Sequence, residues 1–335
     1  MRKNNKAVIA LSGGVDSALA GYLLKKKGYD LVAVFMKLHP YSKAKGALKT
    51  AKKLNIPLRI LDLQKEFKEK VIDYFIKDYE EGRTPNPCVV CNKEIKFGLL
   101  REKFPDFLIA TGHYARIKKG GLFKGRDKEK DQSYFLWQLN QEQLKRIIFP
   151  LGNFKKKKVK KMAKKIKLPV WEKPESQEIC FIEKTLNEFL KKHLSENPGK
   201  IVAAGKRKVI GQHKGLHFYT IGQRKGLNLS GGPWYVLKKD LTNNLLIITK
   251  NEEKLMKKSF KVKNVNWIKG ERPSETVKAK VKIRYGFLHL ELPAEITPEN
   301  EVIFKKKQRA ITPGQSAVFY KGKEILGGGI IENFS

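Results

Sequence analysis

The feature that most constrains this chain is the stretch from Ala7 to Ala18, A-V-I-A-L-S-G-G-V-D-S-A. Ala7 to Leu11 is a continuous apolar run, which suits a strand covered on both faces. Ser12 to Ser17 is a tight glycine-bearing turn, and Leu19, Tyr22, Leu23 and Leu24 then recur at helical spacing. Strand, glycine turn and helix together aim backbone N–H groups and a helix N-terminus at one point, an arrangement that holds anions such as phosphate. Gly13 and Gly14 leave no Cβ between backbone and ligand. Ser12 and Ser17 offer hydroxyls, and Asp16 is placed to hold a metal that bridges phosphates. A bare G-G-x-D-S would also fit an ordinary strand-to-helix turn.

The turn does not have the G-x-x-x-x-G-K-[ST] form, so kinase or GTPase chemistry is not indicated. The full S-G-G-V-D-S resembles the pyrophosphate loop of the ATP pyrophosphatases, which adenylate a carbonyl-type oxygen and release pyrophosphate. Leu31 to Met36, Leu58 to Leu61 and Phe107 to Thr111 read as further buried strands, with helices over about 43–54 and 66–79 between them. Strands alternating with helices predict an α/β domain with a parallel sheet, whose ligands bind beyond the carboxyl ends of the strands. Met36 closes one such strand. Gly112 follows another, where a missing side chain lets an adenine or ribose lie against backbone.

Three cysteines, Cys88, Cys91 and Cys180, are too few for a disulfide scaffold. Two of them lie in T-P-N-P-C-V-V-C-N, where the two prolines predict a constrained loop. Asn92 is then a plausible N-cap for a helix through about Arg101. Cys91 beside such a helix start would have a lowered pKa and thiolate character. A zinc site, with Cys180 and a histidine completing the ligands, is the alternative. Cys180 itself, between Ile179 and Phe181, reads as buried and inert. His113 reads as a structural hydrogen-bonder, and Lys130 to Ser133, read alone, as a solvated turn.

Pro198-Gly199 marks a change of character, beyond which short strands with frequent glycine dominate. Val236 to Thr249 reads as a hairpin. Further strands at Thr276 to Tyr285, His289 to Leu292 and Ala317 to Tyr320 suggest a small β domain followed by a β-barrel. The expected domains are 1–194, 195–257 and 258–335. No apolar run is long enough to span a membrane, and M-R-K-N-N-K leads into a core strand rather than a signal segment, so a soluble cytoplasmic protein is expected.

The formal charge is +38, a polyanion signal. The cations are 12 Arg and 59 Lys, and a lysine excess can reflect coding composition. The charge therefore argues for nucleic-acid affinity in general, not for a specific readout. The lysine-rich segment 155–167 carries one apolar stripe through Val159, Met162, Ala163 and Ile166. Its lysines can be a solvated face or an RNA contact.

A nucleotide loop, a set of thiols and two β-rich domains on a basic chain need one explanation. The sequence resembles the tRNA-specific 2-thiouridylases of the MnmA type over nearly its whole length. The resemblance rests on S-G-G-V-D-S at 12–17, F-M-K at 35–37, T-P-N-P-x-x-x-C-N-K-E-I-K-F at 84–97 and A-T-G-H-Y-A at 110–115. It continues in K-D-Q-S-Y-F-L at 130–136, S-Q-E-I-C-F-I at 176–182, Y-T-I-G-Q-R-K-G-L at 219–227 and R-Y-G at 284–286. It implies ATP-dependent transfer of sulfur to the wobble uridine of tRNA. By resemblance Ala10, Leu11, Ser12, Gly13, Gly14, Val15, Asp16, Ser17, Met36 and Gly112 contact ATP, which brings Mg2+ with it, and the protein alone binds no metal. Cys180 would carry a persulfide received from a sulfur-relay protein or a cysteine desulfurase. Cys91 would be the nucleophile that completes release, leaving a Cys91–Cys180 disulfide for a reductant to reopen. Asn86, Pro87 and Cys88 would lie at the target base, and Lys130, Asp131, Gln132, Arg284 and Tyr285 would contact tRNA. A monomer is expected.

Two departures stand out. Many relatives have an aspartate at the position of Cys88, where it would assist proton transfer, and the segment after Met36 is short and lacks an acidic insert. The main rival is a small-molecule ligase with the same loop, related to argininosuccinate, NAD or GMP synthetases. A non-catalytic RNA-binding protein is a second.

Overall fold

The computed structural model describes residues 5–174, 179–205, 208–286 and 290–332. Strands β1 (Lys6–Ala10), β2 (Asp30–Lys37), β3 (Leu58–Asp62) and β4 (Leu108–Ala110) are followed by a hairpin, β5 (Ala115–Lys118) and β6 (Gly121–Lys124), and by the short β7 (Ile147–Ile148). A parallel sheet forms in the order β3-β2-β1-β4-β7. Ala7, Val8 and Ile9 are fully buried, as strands sandwiched between helices must be. The chain steps outward from β1 to β3 and then returns to β1's other side with β4. The switch point, where a crevice opens at the carboxyl ends, is therefore between β1 and β4.

The hairpin has a two-residue turn, Lys119-Gly120, with both φ positive, the form whose twist matches the strands it joins. It does not belong to the parallel sheet. β6 pairs with the last strand of the chain and so ties the first domain to the third.

Between them, β8 (Gly199–Ala203), β9 (Val209–His213), β10 (Tyr235–Asp240) and β11 (Leu245–Thr249) form a small sheet in the order β10-β11-β8-β9. The expected hairpin is its β10–β11 pair. The remaining strands are β12 (Met256–Trp267), β13 (Val277–Lys282), β14 (Leu292–Ile296), β15 (Glu301–Arg309), β16 (Ser316–Lys321) and β17 (Glu324–Ile331). Because β12 pairs with both β15 and β17, these six strands close into a barrel. Phe260, Val302, Phe304 and Phe319 fill it, each such side chain contributing about 1.5–3 kcal/mol by burial. The strand expected from His289 begins outside the described residues, and β14 starts at Leu292.

Further contacts seat the barrel on the first domain. Asn266 Nδ2 donates to the carbonyls of Trp137 and Leu139 at 2.6 and 3.1 Å. Thr84 N donates to Pro313 O. Gly328 lies so close to the Trp137 indole that a Cβ there would be 2.8 Å from the ring.

Candidate active site

The Ser12–Ser17 turn sits at the β1–β4 switch point and leads into the helix Val15–Lys26. Gly13 holds φ +76°, a conformation glycine adopts at little cost. Ser17 Oγ donates to Gly14 O at 3.1 Å, accepts from Ser12 N at 3.2 Å and lies 3.1 Å from Ser12 Oγ. The serines thus fix the loop itself. The first N–H groups of the helix have no intrahelical acceptor and face the crevice end of the sheet. Gly46, next to the start of the helix Lys45–Leu54, is equally constrained: a Cβ there would be 2.7 Å from Gly13 O. Lys173 Nζ donates to the same carbonyl at 3.1 Å. Beside these residues is a 460 Å³ cavity lined by Lys43, Lys45, Lys49, Trp171 and Lys173. A glycine loop, a helix start and a cationic wall suit a polyphosphate.

Asp16 departs from expectation. Lys156 Nζ donates to its Oδ1 and Oδ2 at 2.7 and 2.6 Å, and Tyr114 Oη donates to Oδ1 at 2.8 Å. The Asp16 carboxylate therefore ties the helix Lys156–Lys165 to the loop and is not an open metal ligand. Lys156, one of the lysines of the 155–167 segment that could be a solvated face or an RNA contact, is buried in that pair. Among the described residues no group of three or more His, Cys, Asp or Glu is placed to hold a metal.

Gly112 also has a different local reason from the one expected. A Cβ on it would stand 2.7 Å from Ser17 N and 2.8 Å from the Asp16 carbonyl carbon. Its bareness lets β4 close against the first turn of the loop helix. Met36, at the end of β2, packs against both the sheet core and the core that surrounds Cys91. It links the parallel sheet to the core around Cys91.

The thiol segment is a helix where a loop was expected. Pro87 occupies its first turn, the one helical position where a missing N–H costs nothing, and the helix continues from Cys91 into a π-wound stretch, Cys91–Leu99. Asn92 is therefore no cap. It is buried, and its Nδ2 donates to Phe135 O at 3.0 Å. Cys91 lies a full turn inside the helix, beyond the reach of the N-terminal dipole. Burial pushes its thiol up to about 12, so the expected lowered pKa is overturned.

Cys91 and the residues flanking Cys180 share one apolar core: Cys91, Ile95 and Phe181 are buried in it, with Ile179 and Ile182 packed on its edge. Folding brings together segments 89 residues apart. All three cysteines are free thiols. Cys180 is exposed, not buried as its apolar neighbours suggested, yet desolvation of its sulfur still raises its pKa. Cys88 is half-buried and is shifted upward for the same reason.

Asn86 is engaged by the barrel. Its Oδ1 accepts from Ser316 N at 2.8 Å and its Nδ2 donates to Gln315 Oε1 at 3.2 Å. Asp131 is no solvated turn residue. Its carboxylate accepts from Gly125 N, Ser133 N and Ser133 Oγ at 2.9, 3.2 and 2.9 Å. Gln132 Oε1 accepts from Tyr114 N. Arg284 donates to Ala310 O and Thr312 Oγ1 at 2.6 and 2.8 Å. Tyr285 is exposed, lies 4.3 Å from the Phe135 ring, and is within electrostatic reach of Asp131, Lys130 and Cys88. Of these residues Asn86 adjoins Cys88 along the chain and Tyr285 is within electrostatic reach of it, while Asp131, Gln132 and Arg284 bond to neighbouring backbone and side chains. His113 is desolvated and neutral, with Nδ1 2.7 Å from Thr111 Oγ1.

Sequence reading missed Lys156, Tyr114, Lys173 and Gln315. Each acts through a partner at least 98 residues away, and no local pattern signals that.

A parallel sheet with an anion loop at its switch point defines a nucleotide-handling α/β domain, here joined to a thiol pair and a closed barrel. Family profiles match in sequence: the tRNA methyl transferase HUP domain at residues 5–184, the tRNA methyl transferase PRC-barrel domain at 187–250 and the aminomethyltransferase beta-barrel domain at 257–331. The tRNA-specific 2-thiouridylase MnmA of Syntrophomonas wolfei is 41% identical over 97% of this chain and 99% of that protein. Those of Buchnera aphidicola and Clostridioides difficile are each 41% identical over 99% of this chain and cover 98% and 99% of their own lengths. The chain belongs to the tRNA-specific 2-thiouridylase family.

Proposed function

We propose that this protein converts a wobble uridine of tRNA to 2-thiouridine, with ATP and a persulfide sulfur as co-substrates. The observation that carries this reading is the convergence of the Cys91 and Cys180 segments in one core, joined through Met36 to the core of the sheet whose β1 leads into the anion loop. Neither a small-molecule ligase nor a plain RNA-binding protein needs that convergence.

The uridine O2 attacks the α-phosphate of ATP, and pyrophosphate leaves. This turns a poor leaving group into AMP. The terminal sulfur of a Cys180 persulfide then attacks C2, and AMP departs. The Cys91 thiolate attacks the Cys180 sulfur of the resulting C2–S–S–Cys180 link. The S–S bond breaks, the base keeps the outer sulfur, and a Cys91–Cys180 disulfide forms. A dithiol reductant supplies two electrons to reopen it. The loop amides and the nearby lysines hold the phosphates. Mg2+ would enter with ATP and neutralise phosphate charge; the Asp16 carboxylate is paired with Lys156, and no step is routed through the ion. The target base enters unstacked near Asn86, Pro87 and Cys88, as chemistry on a base requires. The sulfur enters as the persulfide of a relay protein or a desulfurase. We infer working units of 1–194, 195–257 and 258–335, a monomer, and a cytoplasmic site of action. Among the described residues no helix is long and apolar enough to cross a membrane.

The test is mass spectrometry of nucleosides from unmodified tRNA incubated with the protein, ATP and a persulfide donor, with AMP and pyrophosphate measured in parallel. We expect 2-thiouridine, AMP and pyrophosphate in equal amounts. Pyrophosphate release that ignores tRNA would favour the ligase. Tight tRNA binding with no ATP turnover would favour the RNA-binding protein.

A further inference from the structure

The thiols pose a problem. Sulfur chemistry runs through anions, yet desolvation holds all three cysteines above their ordinary pKa. Something must favour the charged form when sulfur moves. The helix that carries Cys91 shows what it is.

From Cys91 to Leu99 this helix is closed by i→i+5 bonds, and Leu100 N–H donates to Ile95 O. In an α-helix, five steps of ~100° would carry Lys96 ~140° round from Cys91. In the π-wound stretch the fifth residue returns over the first. Lys96 is thereby brought onto the face that carries Cys91. The winding is built in. Gln143 Nε2 donates to the Lys93 carbonyl at 2.9 Å, satisfying an acceptor that the wide turn displaces. Gly98 leaves room for the same carbonyl, which a Cβ would approach to 2.9 Å. Gln143 is itself locked in a capping box with Asn140.

The charges around Lys96 are one-sided. On its own helix it is within electrostatic reach of Cys88 and Cys91. It is likewise within reach of Cys180, from the segment after residue 178, and of the neutral His113, beyond the end of β4. Tyr285 of the barrel approaches Cys88 from the open side. The nearest acid on the helix, Glu94, is turned to Lys70 and Lys93. Among the described residues no carboxylate pairs with Lys96.

We propose that Lys96 is a positioning residue of the sulfur site: the π-wound turn presents its ammonium to Cys91, Cys88 and Cys180, and its charge stabilises whichever of these sulfurs carries the anion. A thiolate or persulfide formed there is held without a neighbouring base. An α-helical turn with the same sequence would aim Lys96 elsewhere. This rests on the reading of Cys91 and Cys180 as the reacting thiols, but its test needs no sulfur transfer.

The test is the pH profile of iodoacetamide alkylation in the full chain, resolved by peptide mass spectrometry. Cys180 is the main readout, because it is exposed. We expect Lys96→Gln to move its profile to higher pH by about one unit, which is about tenfold slower alkylation at pH 7.5. Lys96→Arg should restore most of the rate. Thiolation by Lys96→Gln should fall in kcat with little change in the tRNA KM. An unshifted profile in Lys96→Gln would overturn the proposal. So would a loss confined to tRNA affinity and its salt dependence, which would make Lys96 a phosphate contact. Should Lys96→Gln fold poorly, Lys96→Met gives the same reading, and Gly98→Ala, which keeps every charge, should shift the profile in the same direction.

Discussion

The nucleotide loop and the thiol helix are both short, both built around residues with unusual backbone demands, and they differ in where those demands come from. The loop is local. Ser12 and Ser17 bond each other and Gly14, so the turn's own hydrogen bonds set its backbone, and Lys173, Lys156 and Tyr114 add ties to Gly13 and Asp16 from outside. The thiol helix is assembled from afar. Its start is pinned by Gln315 and Ser316 of the barrel through Asn86, its middle by Phe135 through Asn92, and its wide turn by Gln143. A catalyst that uses both can keep ATP chemistry on an element whose backbone is set largely by its own hydrogen bonds. The sulfur chemistry then depends on the whole assembly.

The sharpest division of labour should appear in the cysteines. Cys91→Ser and Cys180→Ser are each expected to lose thiolation by roughly a thousandfold or more, as removal of an attacking group does. Pyrophosphate release in the presence of tRNA should stay within about threefold of wild type, since no cysteine touches the loop. An equal loss of pyrophosphate release would mean that the two regions act as one unit and would break the comparison.

What could be read from the sequence follows the same division. The Ala7–Ala18 run announced its strand, turn and helix because its periodicity and glycines are contiguous. The parallel sheet and the barrel were legible for the same reason, from strands such as Leu31 to Met36 and Ala317 to Tyr320. Pro87 misled, because a proline that breaks a helix interior also starts a helix well, and only tertiary context decides. The π-wound turn has no local sequence signature, since one of the groups that accommodate it, Gln143, bonds the Lys93 carbonyl from 50 residues away. The Asp16–Lys156 pair joins residues 140 apart, and neither end marks the other. Likewise the pairing of the β5–β6 hairpin with the barrel has no local sequence signature, because an exposed strand edge does not encode its partner.

Gly112 tests how self-contained the loop is. Its missing Cβ lets the chain just beyond β4 close on the loop's first helical turn. Gly112→Ala would need Ser17 N and the Asp16 backbone to give way, an overpacking cost of about 1–3 kcal/mol. We expect a melting temperature lower by several degrees and pyrophosphate formation reduced about tenfold. Thiol alkylation profiles should be unchanged. A variant with normal pyrophosphate formation would show that the loop holds its shape without β4.

The smallest effect concerns the anchoring of the thiol helix. Lys239 of the central sheet donates from Nζ to Gly82 O at 3.0 Å, just ahead of Thr84 and Pro87, while Leu241 packs on Gly82. Burial lowers the Lys239 pKa to about 7. The unfolded chain holds that proton to about pH 10.4, so between these values it binds more protons than the native state does. Stability from this group must therefore rise with pH, from near 7 upward, at no more than about 1.4 kcal/mol per unit. The raised thiols act in the opposite sense, but only above about pH 8.5, where unfolded cysteines ionise. The useful window is thus pH 7 to 8.5. Across it the melting temperature of the wild type should climb relative to that of Lys239→Met, whose curve lacks this group. Parallel curves would mean that Lys239 reaches water in the native state and that the central sheet does not clamp the approach to Cys88 and Cys91. Loosening that clamp, in turn, should disturb sulfur transfer before it disturbs ATP turnover, because only the thiol helix depends on it.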